Sequence, residues 1–264
     1  MADDLAPMKE QVYTDPRAPE YFERFHARAR RRGPDWVYDL ARLLLTPVMY
    51  LLYRARSIAS DHVPPEGPVI VAPNHFSFMD HFFIAMFLRR RVRFMAKSQL
   101  FKRPMQFIYH HGGVFPVRRG ARDEEAFITA HSILRDGGLI VMYCEGGRSR
   151  TGRLASRARR GIGRLALENG VPIVPVAIHG SSKIRNWRRL QLPKVTVQFG
   201  RPIRWEAIAD PTRDQQQAIA DEVLGEIKAI YAGLEQVGRR RMIRRVREQR
   251  RLARRGERTA AAST

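Results

Sequence analysis

The stretch Pro68-Val69-Ile70-Val71-Ala72-Pro73-Asn74-His75-Phe76-Ser77-Phe78-Met79-Asp80 decides the fold class of this 264-residue chain. Its first half is short, apolar and rich in β-branched residues, which predicts a strand over Pro68–Ala72 closed by Pro73. Its second half is polar and leads into the apolar run Phe82–Leu88, so His75 falls in a turn and Asp80 in the first turn of a helix. On one continuous helix five positions would rotate the two side chains about 140° apart; across a turn they can meet. An aspartate accepting from one imidazole nitrogen fixes the tautomer and leaves the other nitrogen as a base able to take a proton from an alcohol. Taken alone, the pair also fits a surface histidine beside an acid that complements a helix dipole.

Working outward, the same kind of short apolar run recurs at Val92–Met95, Val114–Val117, Leu139–Tyr143, Ile173–Ile178 and Val195–Phe199, each bounded by Gly, Pro or charge. Helical patterns alternate with these runs. Phe127, Ala130 and Leu134 share one face of a helix over Asp123–Leu134. Ile219, Val223, Ile227, Ile230, Tyr231 and Leu234 form one stripe of a later helix expected to pack on the sheet. The alternation argues for an α/β domain over residues 61–237.

The chain is strongly basic in its body as well as in its tail. It holds 48 Lys+Arg against 26 Asp+Glu, a net charge of +22, and the stretch Arg239–Arg258 alone carries 11 Arg and 2 Glu. Residues 1–34 read as a polar arm with little core of its own, and residues 238–264 as an Arg-rich tail, either a basic amphipathic helix on a surface or disordered. The arm opens on Ala2, Asp3 and Asp4, with no basic-then-apolar start of a secretory signal. Residues 35–60 are read as an interfacial helical segment. Its apolar part is interrupted by Asp39, Arg42 and Pro47, too short to span a bilayer, and it carries Trp36, Tyr38, Tyr50 and Tyr53 as aromatic anchors. An ordinary buried helix is the alternative. The charge points to anionic partners, and an anionic membrane surface is the one expected.

Three further groupings stand out. Glu145-Gly146-Gly147-Arg148-Ser149-Arg150 follows the strand Leu139–Tyr143; its glycines let backbone approach a ligand, and Arg148 offers a planar fork for phosphate. Glu145 is read either as holding that arginine or as accepting from a hydroxyl. Gly112 to Gly120 places Arg118 and Arg119 at a strand end, as an anion pocket or as an exposed basic edge. Val171-Pro172-Ile173-Val174-Pro175-Val176 has proline inside a strand, the sign of an edge or bent strand.

The order Asn-His-x4-Asp, Gly-x-Phe-Pro-x-x-Arg, Glu-Gly-x-Arg-Ser and Val-Pro-Ile-Val-Pro-Val over residues 60–205 resembles the glycerolipid acyltransferase family, closest to the bacterial 1-acylglycerol-3-phosphate O-acyltransferases. The resemblance implies a single mixed sheet flanked by helices, of the glycerol-3-phosphate acyltransferase type, with a membrane-docking helical segment before it. It implies His75 as the base and Asp80 as its orienting partner. Arg119, Glu145, Gly146, Arg148 and Ser149 would form the acceptor's phosphate site, and the proline-rich motif would line the acyl region. Acyl-CoA or acyl-ACP would be the donor substrate, with no cofactor and no metal, on the cytoplasmic face of the cell membrane as a peripheral or monotopic protein. The chain departs from the family in having Tyr143-Cys144 where Phe-Pro is usual, and Gly147 where Thr is usual.

Other chemistries fit less well. Cys144 sits beside Glu145, which disfavours a thiolate nucleophile, and no Gly-x-Ser-x-Gly elbow is present. A nucleic-acid-binding module would use the same charge, but no helix-turn-helix, zinc-finger or RNP pattern accompanies it, so no specific nucleic-acid partner is expected.

Overall fold

The computed structural model describes residues 5–8, 14–119 and 123–261, with the side chains of the last helix described to Leu252. Residues 2–4 of the N-terminal arm, Gly120 of the basic strand end and the last three residues of the tail therefore lie outside the described residues.

β2 (Val69–Pro73), the strand expected over 68–72, is the central strand of a seven-stranded mixed sheet, and all five of its residues are buried. The other strands are β1 (Arg56–Ile58), β3 (Arg93–Lys97), β4 (Val114–Val117), β5 (Leu139–Val141), β6 (Ile173–His179) and β7 (Thr196–Phe199), in the order β1-β7-β6-β2-β5-β3-β4. From β6 to β4 the pairs are parallel; β7 runs antiparallel to β6, and β1 pairs with β7. A parallel central strand is covered on both faces, which is why its sequence is continuously apolar. Val69 and Val71 face one core layer with Val141, Val174, Phe83 and Met49; Ile70 and Ala72 face the other with Ile140, Ile162, Ala130 and Val223.

The helices α1 (Glu20–Arg31), α2 (Trp36–Leu52), α3 (Asp80–Phe87), α4 (Met105–His111), α5 (Glu124–Arg135), α6 (Gly161–Asn169) and α7 (Arg213–Ala261) cover the two faces. Asp35 caps α2, its carboxylate accepting from Val37 N at 3.1 Å. No helix among the described residues is long and apolar enough to cross a membrane.

Four expectations change. β1 was missed because Arg56-Ser57-Ile58 has no apolar run; it becomes a strand only through its parallel register with Thr196–Gln198. The arm was expected to have little core, yet residues 20–31 form α1. The helix buries Phe22 and Phe25 against Phe101, and His26 Nδ1 stands 2.9 Å from Thr129 Oγ1. β6 is an interior strand, not an edge. Pro175 is tolerated there because the β6–β7 ladder starts one residue later, at Val176, and only an isolated Ile173–Ile203 bridge lies before it. The tail continues α7 after a break at Gly238 (φ 74°, ψ 158°), a left-handed turn that glycine adopts at no steric cost. Beyond the break Met242, Ile243 and Val246 pack on Ile58, Ala59, Ala177 and Leu234.

Candidate active site

The carboxyl ends of β2, β5, β3 and β4 lie along one edge of the sheet, where loops of open α/β sheets hold ligands. β2 delivers Asn74–Asp80 there, β5 delivers Tyr143–Arg150, β3 ends in Lys97, and β4 leads to Arg118 and Arg119. Because β2 and β5 are neighbours in register (Val71 opposite Val141), the first and third motifs leave the sheet side by side.

The turn after β2 is built around one buried carboxylate oxygen. Asp80 Oδ2 accepts from His75 Nδ1 at 2.9 Å, Phe76 N at 2.7 Å and Ser77 N at 2.8 Å. Three donors on this one oxygen offset part of the desolvation of a fully buried carboxylate, whose other oxygen, Oδ1, is buried without a hydrogen-bond partner among the described residues. With Asp80 as acceptor, Nδ1 of His75 carries the hydrogen and Nε2 is the basic nitrogen. Asn74 clamps the same turn to β6, donating to Ile178 O at 3.2 Å and accepting from Ile178 N at 2.6 Å.

The third motif grips this turn from the other side. Glu145 Oε2 accepts from His75 N at 2.8 Å, and Oε1 accepts from Ala155 N at 3.0 Å. Ser149 N donates to His75 O at 2.8 Å, and its hydroxyl donates to Arg153 O at 2.6 Å. Gly146 has φ +71°, and a Cβ there would come within 2.8 Å of the Arg159 side chain. The structure thus separates residues that the sequence had grouped. Glu145, Gly146 and Ser149 do not line the cavity beside His75; both carboxylate oxygens of Glu145 are engaged by backbone amides, so it is a positioning residue. Arg119 and Arg148 do line that cavity.

The cavity has a volume of about 430 Å³ and runs from His75 between α2, α3 and α4. One end is cationic, with Arg119, Arg148 and Lys97. The Lys97 ammonium is held below its ordinary pKa, first by burial and then by Arg148 and Arg119, which places the three cations within electrostatic reach of one another. Most of the remaining lining is apolar and includes Leu45, Met49, Phe82, Met86 and Ile108, with Arg42 of α2 a further cation on the wall. The proline-rich motif, expected to line this region, is absent from its walls: β6 lies on the far side of β2.

Burial pushes the His75 pKa down, the Asp80 carboxylate opposes this, and Arg148 and Arg119 add to the lowering. The Tyr143 ring stacks on the imidazole, with centroids 3.9 Å apart and planes at 19°. His81, also on the cavity wall, is pushed down to about 4 by burial and by His75, so it is neutral near pH 7. Cys144 is buried, and burial and Glu145 push its thiol up to about 12.

Sequence reasoning missed four contributors: Lys97, Tyr143, His81 and Arg185. Arg185, from a 3-10 turn over Ser181–Arg189, donates to Phe76 O at 3.3 Å, to Arg150 O at 2.7 Å and to Ser149 O, tying the two catalytic-edge loops together. Lys97 and Tyr143 each end a strand run at the edge shared with His75, a signal that was readable; Arg185 gave none.

A histidine–aspartate pair on the carboxyl edge of a mixed sheet faces a cavity lined by both cationic and apolar side chains, an arrangement of the acyltransferase class. Residues 54–179 match the family model described as Acyltransferase. A chloroplastic 1-acyl-sn-glycerol-3-phosphate acyltransferase of Arabidopsis thaliana is 27% identical over 149 residues, covering 55% of this chain and 41% of that protein. The 1-acyl-sn-glycerol-3-phosphate acyltransferase alpha of Homo sapiens is 25% identical over 207 residues, 76% of this chain and 72% of the other. The match thus spans less than half the length of the Arabidopsis relative. The crystal structure of the 1-acyl-sn-glycerophosphate acyltransferase PlsC from Thermotoga maritima superposes with a TM-score of 0.53 at 23% identity, covering 79% of this chain and 89% of that one, a likeness of fold. Over these residues the chain is similar to the glycerolipid acyltransferases.

Proposed function

We propose that this protein transfers an acyl group from acyl-CoA or acyl-ACP to the free hydroxyl of 1-acylglycerol-3-phosphate, giving phosphatidate, at the cytoplasmic surface of a membrane. The observation that carries the reading is that His75, fixed by Asp80 and within electrostatic reach of Arg148 and Arg119, shares one cavity with those cations and with the apolar side chains of α2, α3 and α4. The acceptor has the matching form: a phosphate for Arg119, Arg148 and Lys97, and an acyl chain for the apolar end, with its hydroxyl between them.

His75 Nε2 takes the hydroxyl proton as the oxygen attacks the thioester carbonyl. The new C–O bond forms, the tetrahedral intermediate collapses, the C–S bond breaks, and the imidazolium gives its proton to the departing sulfur, which leaves as the thiol and returns His75 to its neutral form. No acyl-enzyme is formed. Asp80 stabilises the imidazolium as it appears, and the stacked face of Tyr143 adds a cation–π attraction worth about 0.5–2 kcal/mol. Such a positioned base supplies about 10²–10⁴-fold; holding the hydroxyl against the thioester supplies the rest through orientation.

The membrane reading rests on α2. Its inner face lines the cavity, while Trp36, Leu40, Leu43, Leu44, Val48, Leu51 and Leu52 form an exposed stripe at helical spacing, continued on α4 by Met105, Phe107 and Ile108. A helix with one apolar face exposed fits an interfacial position in a bilayer.

Purified protein given acyl-CoA and a panel of lysolipids, with thiol release as readout, is expected to turn over with 1-acylglycerol-3-phosphate. His75→Ala is expected to lose nearly all turnover while keeping its circular dichroism spectrum. Near-normal turnover by that variant rejects the base. An unchanged acceptor KM in Arg148→Ala rejects the phosphate assignment.

A further inference from the structure

Where α2 ends, two distant parts of the chain bring arginines together. Arg54 and Arg56 follow the last turn of α2, and Arg239 follows the break at Gly238. Arg239 Nη1 donates to Arg54 O at 2.7 Å. Arg56 lies over the face of Tyr50, 5.9 Å from the ring centroid. Among the described residues no carboxylate pairs with Arg54, Arg56 or Arg239, whereas Arg250, further along the same helix, is bonded to Asp61 at 2.5 Å. Burial first, and then the charges of Arg56, Arg54 and Arg240, hold the Arg239 guanidinium below its ordinary pKa, so these cations lie within electrostatic reach of one another, while Arg54 also donates to Leu192 O and Arg56 to Ala55 O.

The cluster sits at one end of the exposed apolar stripe, next to Leu51, 77% exposed, and Leu52. The segment that supplies Arg239 is not itself free to insert in a bilayer: Met242, Ile243 and Val246 pack on the sheet side. Its position is fixed, and it presents charge at a set place on the rim of an apolar surface.

We infer that Arg54, Arg56 and Arg239 form a headgroup site for an anionic phospholipid of the bilayer, with the lipid phosphate among the guanidiniums and its chains beside Leu51 and Leu52. The site lies apart from the cavity of His75 and rests on the interfacial reading of α2. Guanidinium forks suit phosphate oxygens. A free phosphate or a nucleic acid would satisfy the charge but leave the neighbouring leucines exposed, so the adjoining apolar stripe favours the lipid. The inference gives the basic tail a structural function: the left-handed turn at Gly238 carries Arg239 back to Arg54.

The test is co-sedimentation of the full chain with vesicles of phosphatidylcholine alone and with vesicles containing phosphatidylglycerol, at two salt concentrations. The wild type is expected to bind both, and the anionic ones more tightly. The triple variant Arg54→Gln/Arg56→Gln/Arg239→Gln is expected to keep its binding to neutral vesicles and to lose the anionic increment, by up to about five-fold per arginine at low salt. A control with the same charge loss, Arg241→Gln/Arg244→Gln/Arg245→Gln, on exposed positions of the same helix, is expected to lose much less. Equal losses in the two variants overturn the inference, since net charge alone would then explain the binding. So does a wild type with no preference for phosphatidylglycerol. Failure to bind either vesicle overturns the interfacial reading as well. His75→Ala is expected to bind both vesicles as the wild type does, which keeps this outcome separate from that of the catalytic reading.

Discussion

His75 Nδ1 lies 2.9 Å from Asp80 Oδ2, and the same oxygen accepts the amides of Phe76 and Ser77, so the residues between histidine and aspartate wrap around the group that joins them. The imidazole is oriented by backbone geometry as well as by its partner. The pair answers to pH through opposing influences: burial lowers the His75 pKa and the carboxylate raises it, with burial the larger.

The base must be neutral to accept a proton, so kcat/KM is expected to rise with pH through the His75 pKa, with its midpoint below the ordinary histidine value of 6.5. Asp80→Asn removes the raising influence. It is expected to move that midpoint further down while lowering kcat by about 100-fold or more, because the imidazolium loses its counter-charge. A pH–rate profile of both proteins checks this; an upward shift of the midpoint in the variant contradicts it.

Glu145 holds His75 N and Ala155 N with separate oxygens. Glu145→Gln turns one acceptor into a donor facing an N–H, so one buried amide loses its partner, at about 1–3 kcal/mol. The expected result is a fall in kcat with the acceptor KM nearly unchanged, the reverse of Arg148→Ala. Steady-state kinetics in the acceptor concentration separate the two.

Cys144 is buried, with its thiol pushed up to about 12. Cys144→Ala is therefore expected to retain turnover, and the folded protein to react slowly with iodoacetamide until denaturant is added. Loss of turnover in a folded Cys144→Ala protein would return the thiol to the mechanism.

Leu43 and Leu51 are 70% and 77% exposed on the stripe of α2. Leu43→Glu/Leu51→Glu is expected to leave the thermal unfolding midpoint almost unchanged. Vesicle binding should fall, and turnover on a vesicle-borne acceptor should fall more than on a dispersed short-chain one. Equal effects on the two acceptors count against the interfacial position.

Gly163 in α6 lets α7 approach so closely that a Cβ there would stand 1.9 Å from Gln216 O. Gly163→Ala is expected to force the two helices apart and cost about 1–3 kcal/mol. The measurement is the urea midpoint, with an unchanged midpoint as the contrary result.

Much of this protein is written locally. Six of the seven strands announce themselves as short apolar runs, because a parallel sheet covered on both faces needs continuous apolar sequence. The order of the motifs on those runs locates His75, Asp80, Arg119 and Arg148. Local pattern is silent where an element or a role depends on a distant partner. Arg56-Ser57-Ile58 is a strand only because β7 lies beside it, and residues 20–31 look polar although Phe22 and Phe25 fill a pocket against Phe101. Glu145 looks like a ligand until His75 N, 70 positions away, takes its carboxylate. Arg54, Arg56 and Arg239 become one site only through the turn at Gly238. Sequence periodicity records which side of an element meets apolar surroundings; hydrogen bonds and charges between remote segments are fixed by the packing of the sheet and leave no periodic trace in the chain.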